Sequence, residues 1–315
     1  MSQRYRRLSQ LLIAVVIALS HAPAALAHEG GPVAPDAAWS AWNSDPAIIL
    51  GLTLLVLLYS KGVRELWARA GVGRGVRRWQ AAAFGGGIAA LIAALVSPID
   101  ALGATLFSAH MIQHLLLMQV AAPLLALGAP LLAVLWALPR SWRRTLSEGW
   151  RRAPLLPALW RRLATPAVAL LLHAGALWLW HVPALYDAAL RYESLHLVEH
   201  ASFLGSGLLF WWVLLHGRER RLGYGAAAAA IFLLMMQSGI LGALMTFSGT
   251  AWYASHVAGA ALWGLTPLED QQLAGLIMWV PGNLLYLLPT LALLAAWFRA
   301  LERRMREREA RIEMM

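Results

Sequence analysis

Apolar runs of about twenty residues recur along almost the whole chain, separated by short connections rich in arginine or in acidic residues. A helix of that length crosses ~30 Å of hydrocarbon. Seven such spans are predicted, near residues 46–66, 79–96, 104–138, 166–185, 194–216, 225–247 and 272–299. The third is long, and Pro123, Gly128 and Pro130 predict a kink or partial break in it. In the seventh, Pro281, Gly282 and Asn283 predict an interruption near the middle, with Asn283 placed to satisfy backbone groups that Pro281 frees. In the sixth, the alanine run 226–230 and the pair Gly239 and Gly242 predict close helix packing. No internal repeat is visible. The pattern predicts an all-α polytopic membrane protein, a bundle of about seven transmembrane helices.

The ends follow the same logic. Residues 1–27 read as a secretory signal peptide, with Arg4, Arg6 and Arg7 before an apolar core and Ala25-Leu26-Ala27 as the cleavage site. Residues 28–45 form a polar extracytoplasmic lead-in with Trp39 and Trp42, residues 46–300 the membrane domain, and residues 301–315 a charged cytoplasmic tail. Glu and Arg alternate in that tail at helical spacings, so a solvated continuation of the last helix is expected. Basic residues crowd the connections at 61–78, 140–162 and 218–221, whereas Asp100, Asp187, Glu193, Glu269 and Asp270 mark the opposite side. The positive-inside rule puts the basic set in the cytoplasm, which leaves the mature N-terminus outside and the C-terminus inside. The signal peptide independently gives the same orientation.

Composition fits this picture and narrows the chemistry. The chain of 315 residues is 60% hydrophobic and 13% charged, beyond the range of ordinary soluble domains. Its formal charge of +10 lies in Arg clusters between spans, where orientation accounts for it without nucleic acid. There is no cysteine, so disulfides and thiolate sites are excluded. Any metal would rest on His, Met, carboxylate or backbone ligands.

The histidines are the candidate chemistry. His110 and His114 lie four residues apart near the outer end of span three, on one helical face. His196 and His200 repeat that spacing at the outer start of span five, with Glu199 between them. His181 falls near the outer end of span four and His256 in the connection after span six, so six histidines share one depth. Polar groups at membrane depth are costly and point to function. Two i, i+4 pairs at matched depth predict an interhelical metal or haem site. Imidazole suits Cu, Zn, Fe and Ni, and the methionines Met111, Met118, Met235, Met236, Met245 and Met278 tilt the choice toward copper. Glu199 is a ligand or an orienting partner. Asp270 is either a supporting group of the metal site or, like Thr266, a cap on span seven. His173, deeper in span four, reads as a hydrogen-bonded core residue.

Three ordered stretches, SAHMIQHLLLMQVAAPLLALGAP, WLWHVPALYDAAL…LHLVEHASFLGSGLLFWW and LEDQQLAGLIMWVPGNLLYL, resemble the multi-span CtaG family of cytochrome c oxidase assembly factors. The likeness covers roughly residues 110–288. It implies a seven-helix protein of the bacterial inner (plasma) membrane, not an enzyme, needed to assemble a haem–copper oxidase, with copper delivery to its subunits as the implied route. On that resemblance His110, His114, His181, His196 and His200 carry over as motif residues, as do Asp270 and Gln271 without an assigned role. The expected metal set is therefore His110, His114, His181, His196, His200 and His256 with Glu199 and Asp270, and the expected partners are oxidase subunits and membrane lipid. Neutral imidazole ligands would bind copper less well as pH falls through ~6.5. The alternative is a b-type haem protein of electron transfer, with axial ligands such as His114 and His200. A di-iron enzyme ranks lower because carboxylates are few, and a scaffold with no metal is the fourth reading.

Overall fold

A computed structural model describes residues 31–216 and 223–314, and every regular element among them is helical. The expected signal peptide, and Arg218, Arg220 and Arg221 of one basic connection, lie outside the described residues. After a single 3-10 turn at Ala38–Ser40 come α1 (Pro46–Ala70), α2 (Arg78–Leu95), α3 (Pro98–Thr105), α4 (Phe107–Leu127) and α5 (Pro130–Ala137). Then follow α6 (Arg140–Arg152), α7 (Leu155–Leu163), α8 (Pro166–Trp180), α9 (Pro183–Arg191) and α10 (Glu193–His216). The series closes with α11 (Tyr224–Thr246), α12 (Val257–Leu262) and α13 (Pro267–Glu313). Six helices, α1, α2, α4, α10, α11 and α13, are long and apolar enough to cross a membrane, and α7 with α8, bent by 74°, makes a seventh when counted as one span. Leu57, Leu171, Phe232, Leu233 and Leu288 stand exposed on these helices, as a lipid-facing surface requires.

Local signals explain where the helices start. Pro opens α1, α3, α5, α8, α9 and α13, where its missing N–H costs nothing. Asp45 caps α1 by accepting from Ala47 N at 2.7 Å, and Ser97 caps α3 through Ile99 N. Thr266 and Glu269 form a reciprocal capping box at the head of α13.

The long third span resolves into two helices. α4 carries a π-helical turn at Leu116–Ala121, just before Pro123. Pro123 has no N–H to give the carbonyl of Gln119, and its ring crowds that carbonyl, so the preceding turn widens. Pro130 then ends the run: Ala129 is driven into the left-handed region (φ 49°), and α5 packs separately against α1. Tyr59 of α1 fixes the turn by donating to the Gly128 carbonyl at 2.9 Å.

The seventh span departs from expectation. α13 runs unbroken for 47 residues through Pro281 and Pro289 and includes most of the charged tail, which is exposed as predicted. Each proline removes one backbone bond, and packing along α11 keeps the helix continuous across the gap. That packing needs glycine at one crossing. A Cβ on Gly275 would press on the Gly242 carbonyl at 2.5 Å, and one on Gly242 would lie 2.8 Å from the Gly275 carbonyl. Asn283 faces α11 instead, its amide lying where a Cβ on Gly239 would fall.

The basic stretch expected as loops is instead helical. α6 presents Trp142, Leu146 and Trp150 along one side, with Arg140, Arg143, Arg144 and Arg151 on the remainder, the amphipathic pattern of an interfacial helix. Arg69 and Arg143 both stack on Trp136, at 5.5 and 4.7 Å from its ring centre.

α4 lies at the centre of the bundle. Of the candidate spans it has the largest buried share, 67%, and it contacts α2, α3, α10 and α13. Its polar residues therefore face protein on every side. The site is built there.

Candidate metal centre

The two histidine pairs come together as the i, i+4 spacing predicts. His110 and His114 project from the first two turns of α4 toward Glu199 and His200 of α10. One ligand atom from each of these four residues lies within 4.8 Å of all the others. His114 Nε2 is 3.5 Å and His110 Nε2 3.8 Å from Glu199 Oε1. Glu199 is fully buried.

The ring orientations are set from behind. His110 Nδ1 lies 3.2 Å from the Gly103 carbonyl, which only accepts, so that nitrogen carries the proton and Nε2 turns its lone pair toward the cluster. Gly103 is required there, because a Cβ would fall 2.8 Å from Gln113 Oε1 and 3.4 Å from the His110 backbone. Gln113 in turn donates to the Ala94 carbonyl and to Asp100, and Asp100 also accepts from Asn43 at 2.7 Å. Among the described residues, both Glu199 oxygens, both His114 nitrogens and His200 Nε2 are buried with no hydrogen-bond partner. Leaving buried polar atoms unbonded costs ~1–3 kcal/mol each, and ligation of a cation offsets that cost. Three imidazoles and a carboxylate suit a borderline or soft transition metal.

The other expected ligands stand around this group of four. His196 lies beside it, its ring centre 4.1 Å from that of His200 and 5.5 Å from that of His110. His181, at the end of α8, bonds the Leu177 carbonyl through Nδ1 at 2.7 Å and turns Nε2 to Met111 Sδ at 3.3 Å. His256 precedes α12 and receives the Tyr186 O–H on Nε2 at 2.6 Å. Burial lowers His256 to about 4, with His110 adding to the effect, and burial pushes the Tyr186 phenol up, so Tyr186 is the donor. His173 bonds Ser206 Oγ at 3.0 Å, as expected of a core residue. Met111, Met118, Met245 and Met278 are buried in the core beside the site, whereas Met236 is exposed.

Asp270 caps a helix other than its own. Its carboxylate accepts from Phe107 N at 2.7 Å, Ser108 N at 3.1 Å and Ser108 Oγ at 2.5 Å. Leu106, the residue before α4, makes no side-chain cap, so Asp270 of α13 caps α4 from across the bundle rather than capping its own helix. Both oxygens are thus committed, and Asp270 stands outside the group of four. Gln271 clamps the loop after α11 through Trp252 N at 2.6 Å and the Thr250 carbonyl. That loop brings Tyr253, whose hydroxyl donates to the His181 carbonyl at 2.9 Å.

Sequence reasoning gave Tyr186, Ser108 and Gln113 no role at the site and read Asp100 only as a marker of the outer side. Their polar side chains within or beside apolar runs were the available signal. For the haem alternative, the rings of His114 and His200 lie edge to face with centres 5.5 Å apart, and Glu199 Oε1 stands 3.5 Å from His114 Nε2.

The fold and this cluster define a polytopic helical membrane protein with a buried interhelical His–Glu site. The family comparison agrees with the motifs: residues 57–300 match the cytochrome c oxidase caa3 assembly factor family (Caa3_CtaG), and the chain belongs to it. The chain is also similar to uncharacterized proteins of Mycobacterium bovis and Mycobacterium tuberculosis, 29% identical over 86% of this chain and 41% of theirs. An uncharacterized protein of Mycobacterium leprae is 26% identical over 83% of this chain and 40% of its own. The chain thus spans about two fifths of the length of these curated relatives. No solved structure matches it.

Proposed function

We propose that this protein binds copper at His110, His114, Glu199 and His200 and passes it to a nascent subunit of a haem–copper oxidase in the bacterial plasma membrane. The observation that carries this is the convergence of three buried side chains and the half-buried His200, from α4 and α10, with ligand atoms within 4.8 Å of one another. The three imidazoles supply neutral nitrogen donors, and Glu199 offsets the charge of the ion in a low-dielectric setting. The basic connections put this end of the bundle at the outer face. Copper would therefore enter from the periplasmic side and leave laterally, to a partner in the same bilayer. The chain carries an ion and turns over no substrate.

Metal analysis of detergent-purified protein tests the reading. Wild type should retain copper after anaerobic loading and desalting, and the variant His110→Ala/His114→Ala/Glu199→Gln/His200→Ala should retain almost none. Equal copper in both would sink it. A Soret band at equimolar haem would replace copper with haem.

A further inference from the structure

We propose a second, sulfur-containing site for a monovalent soft cation, copper(I), held by Met111 and His181 and joined to the His–Glu cluster by His114. The starting point is the contact between His181 Nε2 and Met111 Sδ at 3.3 Å. His181 Nδ1 lies 2.7 Å from the Leu177 carbonyl. A carbonyl only accepts, so the proton is on Nδ1, and in the neutral ring Nε2 holds a lone pair. A thioether sulfur has no proton either. Two lone-pair donors thus face each other in the core, with Met111 at 0% and His181 at 4% exposure. A cation that both can ligate turns this opposition into a bond pair. A spacing of 3.3 Å is within a few tenths of an ångström of the ~3.5 Å between neighbouring ligands at a four-coordinate ion, given metal–nitrogen and metal–sulfur bonds of ~2.0–2.3 Å.

A second observation is the space beside them. A cavity of about 10 Å³ is bordered by Met111, Met118, Met278, His114, His173 and His181 among others. That volume admits about one water or one ion. Thioether and imidazole without a carboxylate select copper(I) over zinc, magnesium or calcium.

His114 connects the two places. It is one of the four cluster ligands and also borders the cavity, and neither of its ring nitrogens has a hydrogen-bond partner among the described residues. A neutral imidazole presents one lone pair at a time, so His114 holds an ion on one side while its proton sits on the other nitrogen, and passing the ion across exchanges the ring proton to the nitrogen it leaves. The same copper(I) ion moves from the nitrogen–oxygen site to the sulfur site without a change of oxidation state, so no reductant is needed. The proposal extends the copper reading above and takes its cargo from it.

X-ray absorption at the copper edge, on full-length detergent-purified protein loaded anaerobically with copper(I), tests it. Wild type should show a sulfur scatterer beside the nitrogen and oxygen shell. Met111→Leu, which conserves volume, should lose the sulfur shell and roughly one of two copper equivalents. Wild-type protein labelled with selenomethionine should show copper–selenium scattering, a reading that needs no variant to fold. No sulfur or selenium scatterer in wild type, or a sulfur shell that survives Met111→Leu, overturns the second site. A double variant, His110→Ala/His200→Ala, separates the two proposals. If it keeps the full nitrogen–oxygen-bound copper while Met111→Leu removes the sulfur shell, the cluster reading falls and the second site stands.

Discussion

The carboxylate of Asp270 holds the backbone amide of Phe107 at 2.7 Å across 163 residues of sequence. Because Phe107 is the first residue of α4, this contact fixes the start of the helix that carries His110 and His114. An N-terminus inside a helical bundle has no water to satisfy its free amides. Removing the carboxylate should therefore loosen the histidines as well as the helix.

Asp270→Ala should lower stability by about 2–4 kcal/mol, the scale of losing charge-assisted bonds to buried amides. Asp270→Asn, which keeps an acceptor, should cost less. Thermal unfolding in detergent ranks the two. An alanine variant as stable as wild type would show that the cap contributes nothing.

Glu199 should behave in the opposite way. Its two oxygens are buried without hydrogen bonds among the described residues, so the metal-free protein carries their desolvation cost. Glu199→Gln is expected to raise the stability of metal-free protein by about 1–2 kcal/mol while weakening copper retention. Unfolding curves with and without copper check both halves. Loss of stability in the metal-free variant would argue for a structural carboxylate.

The glycine crossing of α11 and α13 gives a steric prediction. Gly275→Ala would force apart backbones that meet at Gly242 and should destabilise by about 1–3 kcal/mol. Gly85→Ala on α2 meets nothing within 4 Å and should be neutral or slightly stabilising. The comparison of the two midpoints decides.

Tyr186→Phe removes the hydroxyl that His256 accepts from at 2.6 Å. The expected loss is about 1 kcal/mol, with α9 and the segment before α12 exchanging amide hydrogen faster. Unchanged exchange there would mean the contact does not join these elements.

The spans were legible because each needs some twenty apolar residues, and length alone marks them. The interruption expected at Pro281 was not, since whether a helix survives a proline depends on the neighbour that packs across it, here α11. The meeting of the His110 and His114 pair with the helix of His196 and His200 was legible as well, although Glu199 rather than His196 completes the group of four. Four-residue spacing puts each pair on one face, and shared depth puts the faces at one level. Asp270 read equally well as a local cap or a supporting group, because a carboxylate bonding amides in another helix leaves no local pattern. The Tyr186–His256 bond escaped for the same reason. It joins two elements whose meeting no periodicity encodes.

The continuity of α13 has a mechanical consequence. At 1.5 Å per residue its 47 residues make a rod about 70 Å long, more than twice the thickness of the hydrocarbon layer. One end bears Asp270, which grips the start of α4, and the other is the exposed arginine- and glutamate-rich extension. One continuous helix thus joins the exposed extension to the start of the helix that holds His110 and His114.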